Sequence, residues 1–354
     1  MYLRNNKLKI ALISLVVLLG LIGSFVFIQI GPYNKKNKKD IVVEIPKGAT
    51  INTMTDILYE KKLIKNKTLF KVVAKVSNEI PSIKSGKYLL NQTYSNNDII
   101  DILSSGKTYQ DGIKVTIPEG STSNEVIDIL VSKKLGNKEI YENLIKNPKE
   151  FYNDFPYLKE GDITTLEGFL YPQTYYFEEG TSEKEVLDKM LAEFGKMYTE
   201  KLQKRQKELK MTLQEVVNLS SIVEKEAVRD EDRPIIASVF YNRLDIGMRL
   251  QSDATIQYIF PERKKIVTYN DLKIDSPYNS YKNVGLPPTP IANPSIKSIE
   301  AVLYPKDTDY LYFVATMDGG NNYSKTYEEH LKFEKEYKEQ RDKLSKEKAS
   351  AENK

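Results

Sequence analysis

Residues 10 to 30 read IALISLVVLLGLIGSFVFIQI, a run of twenty-one residues without a charge. A helix rises about 1.5 Å per residue and the hydrocarbon core of a bilayer is about 30 Å thick, so this run predicts a membrane-spanning helix. It separates a short tail, residues 1–9, from a long polar remainder that must fold in water. Arg4, Lys7 and Lys9 precede it and Lys35, Lys36, Lys38 and Lys39 follow it, so basic residues alone do not orient it. A short tail ahead of a long C-terminal region is the layout of a signal anchor. That layout implies a single pass through the cell membrane, with the N-terminus cytoplasmic and residues 31–354 outside. The alternative is a cleaved signal peptide. Against it, the run exceeds an h-region of about 7–15 residues and no Ala-x-Ala site closes it.

The remainder carries ordinary globular composition, 29% charged and 40% hydrophobic over 354 residues, enough for roughly two to three domains. Its 53 basic and 49 acidic side chains are interspersed, for a net charge of only +4, so no nucleic-acid footprint is indicated. Cysteine is absent and His330 is the single histidine. Disulfides and cysteine nucleophiles are therefore excluded, and zinc sites that draw two or three ligands from His and Cys cannot be assembled. A Ser/His/Asp triad would have to use His330, in a charged run. The chemistry must lean on carboxylates, hydroxyls, amides and cations, with no metal and no cofactor.

After a polar linker, residues 31–40, the chain repeats itself at an offset of 72: Val43-Glu-Ile-Pro-Lys-Gly-Ala-Thr matches Val115-Thr-Ile-Pro-Glu-Gly-Ser-Thr, continuing through Asp56/Asp128, Leu58/Leu130 and Leu63/Leu135. Each copy reads as an alternating strand, a Pro-x-Gly turn and a helix entered near Thr50 or Thr122. The units expected at 41–106 and 111–150 resemble LysM-like βα modules of wall-associated proteins, and a plain structural spacer fits the same pattern. A mixed α+β domain is expected over 151–338, with helices near 212–228 and 234–245, a proline-rich loop at 276–294, and a charged tail at 339–354. The fold class is α+β.

Thr212 and Glu215 have capping-box spacing, so the helix that follows is well marked. At about 100° per residue, Val216, Val217, Ser220, Val223 and Ala227 share one direction within ~60°, and Glu224 falls among them. Glu226 and Lys225 point roughly 120° and 140° away, on the side expected to stay solvated. A carboxyl among apolar neighbours tends to keep its proton near neutral pH, as a general acid must. The competing structural reading is a buried ion pair, with Arg243 on the next helix as its partner.

The run Ser221-Ile-Val-Glu-Lys-Glu, followed by Ala237-Ser-Val-Phe-Tyr-Asn-Arg-Leu-Asp-Ile-Gly-Met-Arg-Leu-Gln-Ser-Asp-Ala-Thr, resembles the signature of the endolytic murein transglycosylases, the YceG-like family. Leu166-Glu-Gly-Phe-Leu-Tyr-Pro, Ser276-Pro-Tyr-Asn-Ser-Tyr, Gly285-Leu-Pro-Pro-Thr-Pro-Ile-Ala-Asn-Pro and Tyr310-Leu-Tyr-Phe-Val-Ala extend it over nearly the whole chain. The resemblance implies that Glu224 protonates the oxygen between N-acetylmuramic acid and N-acetylglucosamine in nascent peptidoglycan, then deprotonates the muramyl C6 hydroxyl. That hydroxyl closes a 1,6-anhydro end without water, and the cut terminates strand elongation. The resemblance implies glycan strands and the membrane as partners, with a peptidoglycan synthase as a further candidate. Gln173 and Asn321 depart from the pattern, standing where members often have Asp and His.

Asn242, Gln251, Ser252 and Asp253 are candidates to orient sugar hydroxyls or amides, and caps and turn hydrogen bonds are the equally available structural use of the same residues. Tyr171 and Tyr278 are candidates to stack on sugar faces in a chain without tryptophan. Glu167 is the further carboxylate of the set. Two rival functions remain open on the residues: a non-catalytic peptidoglycan-binding scaffold, and a muramidase-type hydrolase, which would need Glu167 or Asp253 as a second carboxylate.

Overall fold

A computed structural model describes residues 2–77, 79, 83–109 and 112–352, with side chains described from 13 to 344. Parts of the sequence reading fall outside the described residues: the tail ends at 1 and 353–354, residues 78 and 80–82 of the first unit, residue 111 of the second, and the side chains of Arg4, Lys7 and Lys9. The chain forms two compact units, Met1–Asp111 and Gly112–Lys354.

The first unit opens with α1 (Tyr2–Ile30), whose stretch Ile13–Ile30 is long and apolar enough to cross a membrane and is not buried by protein. There follow β1 (Ile41–Ile45), α2 (Ile51–Glu60), α3 (Lys67–Val76), β2 (Gly86–Leu90) and α4 (Asn96–Ser105). β1 and β2 pair antiparallel, Ile41 opposite Leu90 and Ile45 opposite Gly86. Strand alternation sends Val43, Ile45, Tyr88 and Leu90 into a core with Leu58, Phe70 and Ile99.

The second unit begins by repeating this plan. β3 (Ile113–Thr116) starts 72 residues after β1, and α5 (Ser123–Ser132) lies 72 residues on from α2 at both ends. Thr50 and Thr122 cap the paired helices, and the turn glycines Gly48 and Gly120 both adopt the left-handed region, at φ +76° and +73°. The sequence suggested a βα unit. Each copy instead closes with a second strand, because a single strand leaves its ladder groups unpaired. In the second copy, α6 (Lys138–Lys146) and α7 (Pro156–Glu160) precede β4 (Thr174–Phe177), which pairs antiparallel with β3.

The remaining elements are α8 (Glu183–Met197), α9 (Glu200–Glu208), α10 (Leu213–Glu226), α11 (Arg233–Asp245), α12 (Asp253–Gln257), α13 (Ile296–Leu303), the hairpin β5 (Tyr312–Ala315) with β6 (Asn321–Ser324), and α14 (Tyr327–Glu352). One apolar core runs from Val115 to Leu303. The second repeat copy and the segment expected as a separate domain from residue 151 therefore share that core, with Phe194 packed among Tyr157, Phe169 and Tyr198.

Thr122 accepts the Glu125 amide at 3.2 Å, and Glu125 returns a carboxylate oxygen to the Thr122 amide at 2.8 Å. Thr122→Ala leaves the Glu125 amide at the start of α5 unmet and should destabilise the chain by about 1 kcal/mol. Urea denaturation followed by circular dichroism measures it, and an unchanged midpoint would remove the cap from the account of this turn.

Candidate active site

Helix α10 is marked at its start by the capping box the sequence foretold, with Thr212 and Glu215 bonded reciprocally at 3.1 and 2.7 Å. The helix is not amphipathic in place, since every residue from Val216 to Val223 is buried. It packs against α11, α12 and α13. Polar residues on so enclosed a helix need partners. Many are supplied by the proline-rich segment 285–295, whose prolines rule out a helix or strand ladder there. Gln214 Nε2 donates to Pro288 O at 3.0 Å, Asn218 Nδ2 to Pro287 O at 2.6 Å, and Ile291 N donates to Ser221 Oγ at 3.0 Å. The segment thus forms a strap along the helix, ending at Ser295.

At that end sits Glu224, with its side chain 5% exposed. Ser295 donates to Oε2 from its amide at 2.9 Å and its hydroxyl at 2.6 Å, and Arg233 Nη1 lies 3.1 Å from Oε1. The buried ion pair considered from the sequence exists, but with Arg233 rather than Arg243. The connection from α10 to α11 is short, so the end of one helix meets the start of the next. Arg243 lies further along α11, where it donates to the carbonyls of Leu311 and Leu250. Arg233 is shared with Asp230 at 3.2 Å and Ser298, and Asp230 also pairs with Lys297. Gly120 closes the other side. A Cβ there would lie 3.4 Å from Glu224 Cγ, and Lys225 Nζ donates to Gly120 O at 2.9 Å.

Glu226 corrects the face assignment. It is partly buried rather than solvated: its carboxylate accepts the Ser252 hydroxyl, and burial raises its pKa, with the nearby Asp253 charge adding to the rise. The cause is the turn after α11, which folds residues 250–253 back over the end of α10. Ser252 N donates to Ser280 Oγ at 3.0 Å, Gln251 N to Ser280 O at 3.1 Å from a left-handed backbone at φ +49°, and Tyr281 donates to Asp253 at 2.6 Å. Glu226, Ser252 and Asp253 therefore form one cluster, and Glu224, Arg233 and Ser295 another.

Other expected site residues lie apart from both clusters or serve internal bonds. Glu167 is buried, and both of its carboxylate oxygens accept the Ser123 amide, at 3.0 and 3.1 Å, with the Tyr258 hydroxyl at 3.1 Å. Tyr278 stands against Tyr258 at 5.0 Å and bonds Thr289, Tyr171 is buried with its carbonyl accepting Tyr175, and Asn242 donates to the carbonyls of Thr308 and Tyr310. Of the two departures, Gln173 O receives the Ile117 amide, whereas Asn321 Nδ2 reaches Asp232, the neighbour of Arg233.

The sequence reading missed Arg233, Ser295 and Asn293. Asn293 is fully buried and joins three motifs: it donates to Ser121 O at 2.9 Å, accepts Leu170 N at 2.8 Å, and its carbonyl receives Gly120 N at 2.9 Å. Its place in the Ala-Asn-Pro run was the available signal. Among the described residues no group of three or more His, Asp or Glu side chains could hold a metal.

The YceG-like family model matches residues 43–336. The endolytic murein transglycosylase of Bacillus subtilis is 34% identical, over 86% of this chain and 87% of that protein. That of Streptococcus pneumoniae strain R6 is 31% identical over 90% of this chain and 63% of its own length. The crystal structure of a YceG-like protein from Listeria monocytogenes is similar at 39% identity and a TM-score of 0.57, covering 84% of this chain and 99% of that one.

Burial pushes the Glu167 carboxyl up from 4.5 to about 7, against the bonds from Ser123 and Tyr258, which favour the anion. The folded chain therefore holds a proton that the unfolded chain releases. Stability from this group is complete below about pH 4.5 and is lost as pH rises through about 7, by on the order of 3 kcal/mol. In urea midpoints from pH 4.5 to 8, wild type should fall relative to Glu167→Gln. Parallel curves would show that no displaced titration exists.

Proposed function

Because the chain belongs to the YceG-like family, we propose that it is a membrane-anchored lytic transglycosylase that cuts peptidoglycan strands internally, with Glu224 as its acid and base. The names of the Bacillus and Streptococcus relatives support the activity. The observation that carries the residue assignment is that strap, repeat turn and the start of α11 converge on Glu224. The apolar helix supports the anchor, with residues 31–354 outside the cytoplasm. The two helix-containing units, each closed by an antiparallel strand pair, support wall binding by LysM-like units, and a synthase remains a proposed partner.

In this reading Glu224 gives a proton to the bridging oxygen as the muramyl C1–O bond breaks and positive charge builds at the anomeric carbon. Glu224 then takes the proton of the C6 hydroxyl, whose oxygen bonds to C1 and closes the 1,6-anhydro ring, ending the strand. The resting contacts suit the second half, since Ser295 and Arg233 all present donors to an accepting carboxylate. The acid half needs a proton on Glu224, whose Oε1 lies 3.1 Å from Arg233 Nη1 in this resting arrangement. Sharing Arg233 with Asp230 spreads its charge over two carboxylates.

A specific second reading takes Glu226 as the acid, since burial raises its pKa. The hydrolase alternative is weaker, as Glu167 is bonded internally through both oxygens and Asp253 accepts Tyr281. Glu224→Gln should reduce cleavage of purified glycan strands at least about a hundredfold, while Glu226→Gln, whose amide still accepts Ser252, retains most of it. A collapse confined to Glu226→Gln would move the acid to that residue.

Mass spectrometry of the products separates the classes. Muramyl ends lighter by one water than reducing ends are expected throughout. Reducing ends would mean hydrolysis, and binding without cleavage would mean a scaffold.

A further inference from the structure

The two repeat copies part company in one helix. Asn66 caps α3 and Asn137 caps α6, and from those caps the helices match at an offset of 71, with Phe70 and Tyr141 buried, and Ala74 and Ile145 buried one turn on. Exposure runs in step along both, residue by residue, over 70–76 and 141–147. The chemistry of the outward positions does not. Where α6 and its C-cap have Glu142, Asn143 and Asn147, α3 has Lys71, Val72 and Val76. α3 carries Lys67, Lys71 and Lys75 with no acid, whereas α6 carries Glu139 and Glu142 between its two lysines. Val72 is 52% exposed and Val76 81%, so the core does not place a valine at either.

What differs is the neighbour. α6 packs against α5 and α8, whereas α3 packs against α1 as well as α2 and α4. Lys65, just before α3, donates from Nζ to the carbonyl of Ile28 at 2.8 Å, close to the end of the apolar run. The linker after that run is pinned to the same unit. Asn34 N donates to Gln92 O at 2.9 Å, and Asn37 Nδ2 to Gln92 Oε1 at 2.9 Å. The interfacial layer of a bilayer is about 5–8 Å deep on each side, so a span that ends near Ile30 sets α3 at its level.

We propose that α3 is a membrane-contact face, on which Val72 and Val76 enter the interfacial layer and Lys71 and Lys75 meet anionic phospholipid headgroups. The proposal rests on the reading of α1 as a membrane anchor. An amphipathic helix lies in the interface in this way, and its binding grows with buried apolar area and with anionic lipid. Lys67 is left out because it pairs with Asp56 at 2.8 Å. Two valines and two lysines bind a membrane weakly from solution, but α1 already holds them beside it, which makes the contact intramolecular. A soluble polyanion would meet the lysines and leave the valines in water. The first unit is thus seated on the bilayer rather than suspended from it.

The chain has no cysteine, so single cysteines can be labelled in the full chain without background. An environment-sensitive fluorophore is attached at Val76→Cys, at Phe25→Cys within α1, and at Glu44→Cys, which strand alternation turns away from the core. Each variant is reconstituted in vesicles of phosphatidylglycerol and phosphatidylcholine that carry spin-labelled lipids. Headgroup-level spin labels should quench Val76 about threefold more than Glu44, and acyl-chain labels should quench Phe25. Replacing phosphatidylglycerol by phosphatidylcholine, or adding Val72→Glu with Lys75→Glu, should bring Val76 towards the Glu44 level. Both of those side chains are exposed and Phe70 and Ala74 stay in the core, so the fold is kept. Equal quenching at Val76 and Glu44, or quenching at Val76 left unchanged by either alteration, would overturn the contact. So would a Val76 label that responds to added polyphosphate but not to spin-labelled lipid, which gives the face to a soluble polyanion. Unquenched Phe25 removes the anchor and the contact with it, whereas quenched Phe25 beside unquenched Val76 removes the contact alone.

Discussion

Burying the whole middle of α10, Val216 to Val223, forces the architecture around it. A helix carrying Gln214, Asn218, Ser220, Ser221 and Glu224 cannot be buried unless each polar group is met. Ser220 turns back to the carbonyl of Val216, and Ser221 to that of Asn218 while accepting Ile291. The others reach the strap, which as a proline-rich segment has no ladder or helix of its own to satisfy it. Helix and strap complete one another. Asn218 Oδ1 is the one fully buried oxygen of this series without a donor among the described residues.

The repeat explains what stands opposite. Gly48 and Gly120 occupy the same turn in the two copies and adopt the same left-handed backbone. In the second copy that backbone has an added use, because Gly120 also approaches Glu224 closely and its carbonyl receives Lys225. Glu167 and Asn293 hold the turn there by bonding Ser123 and Ser121. Glu167 sustains a desolvated carboxylate to do so, which is why its titration is displaced.

Two glutamates two residues apart meet opposite environments. Glu224 faces a guanidinium and the serine that precedes α13, which supply charge and donors. Glu226 faces a serine hydroxyl and the negative charge of Asp253 in a desolvated corner. Helical periodicity separated the two correctly in direction. It could not say what other segments lay in each direction, and that decides whether a carboxylate is charge-paired or merely buried.

From the sequence alone came the apolar helix at the N-terminus, the 72-residue repeat with its caps and turn glycines, the start of α10 and the α+β class. These depend on periodicity, capping and chain direction, which are local. The motifs that carried the family resemblance were legible as strings, Leu166–Pro172 and Gly285–Pro294 among them, without their reason. Tertiary structure supplied it, by laying the strap along α10 and seating Asn293 between two other motifs. It also chose Arg233 over Arg243 as partner of Glu224, partly buried Glu226 against Ser252, and merged the second repeat copy into one core with the helices that follow. Each of those outcomes depends on which distant segments share a volume, and a one-dimensional pattern of polarity holds no record of that.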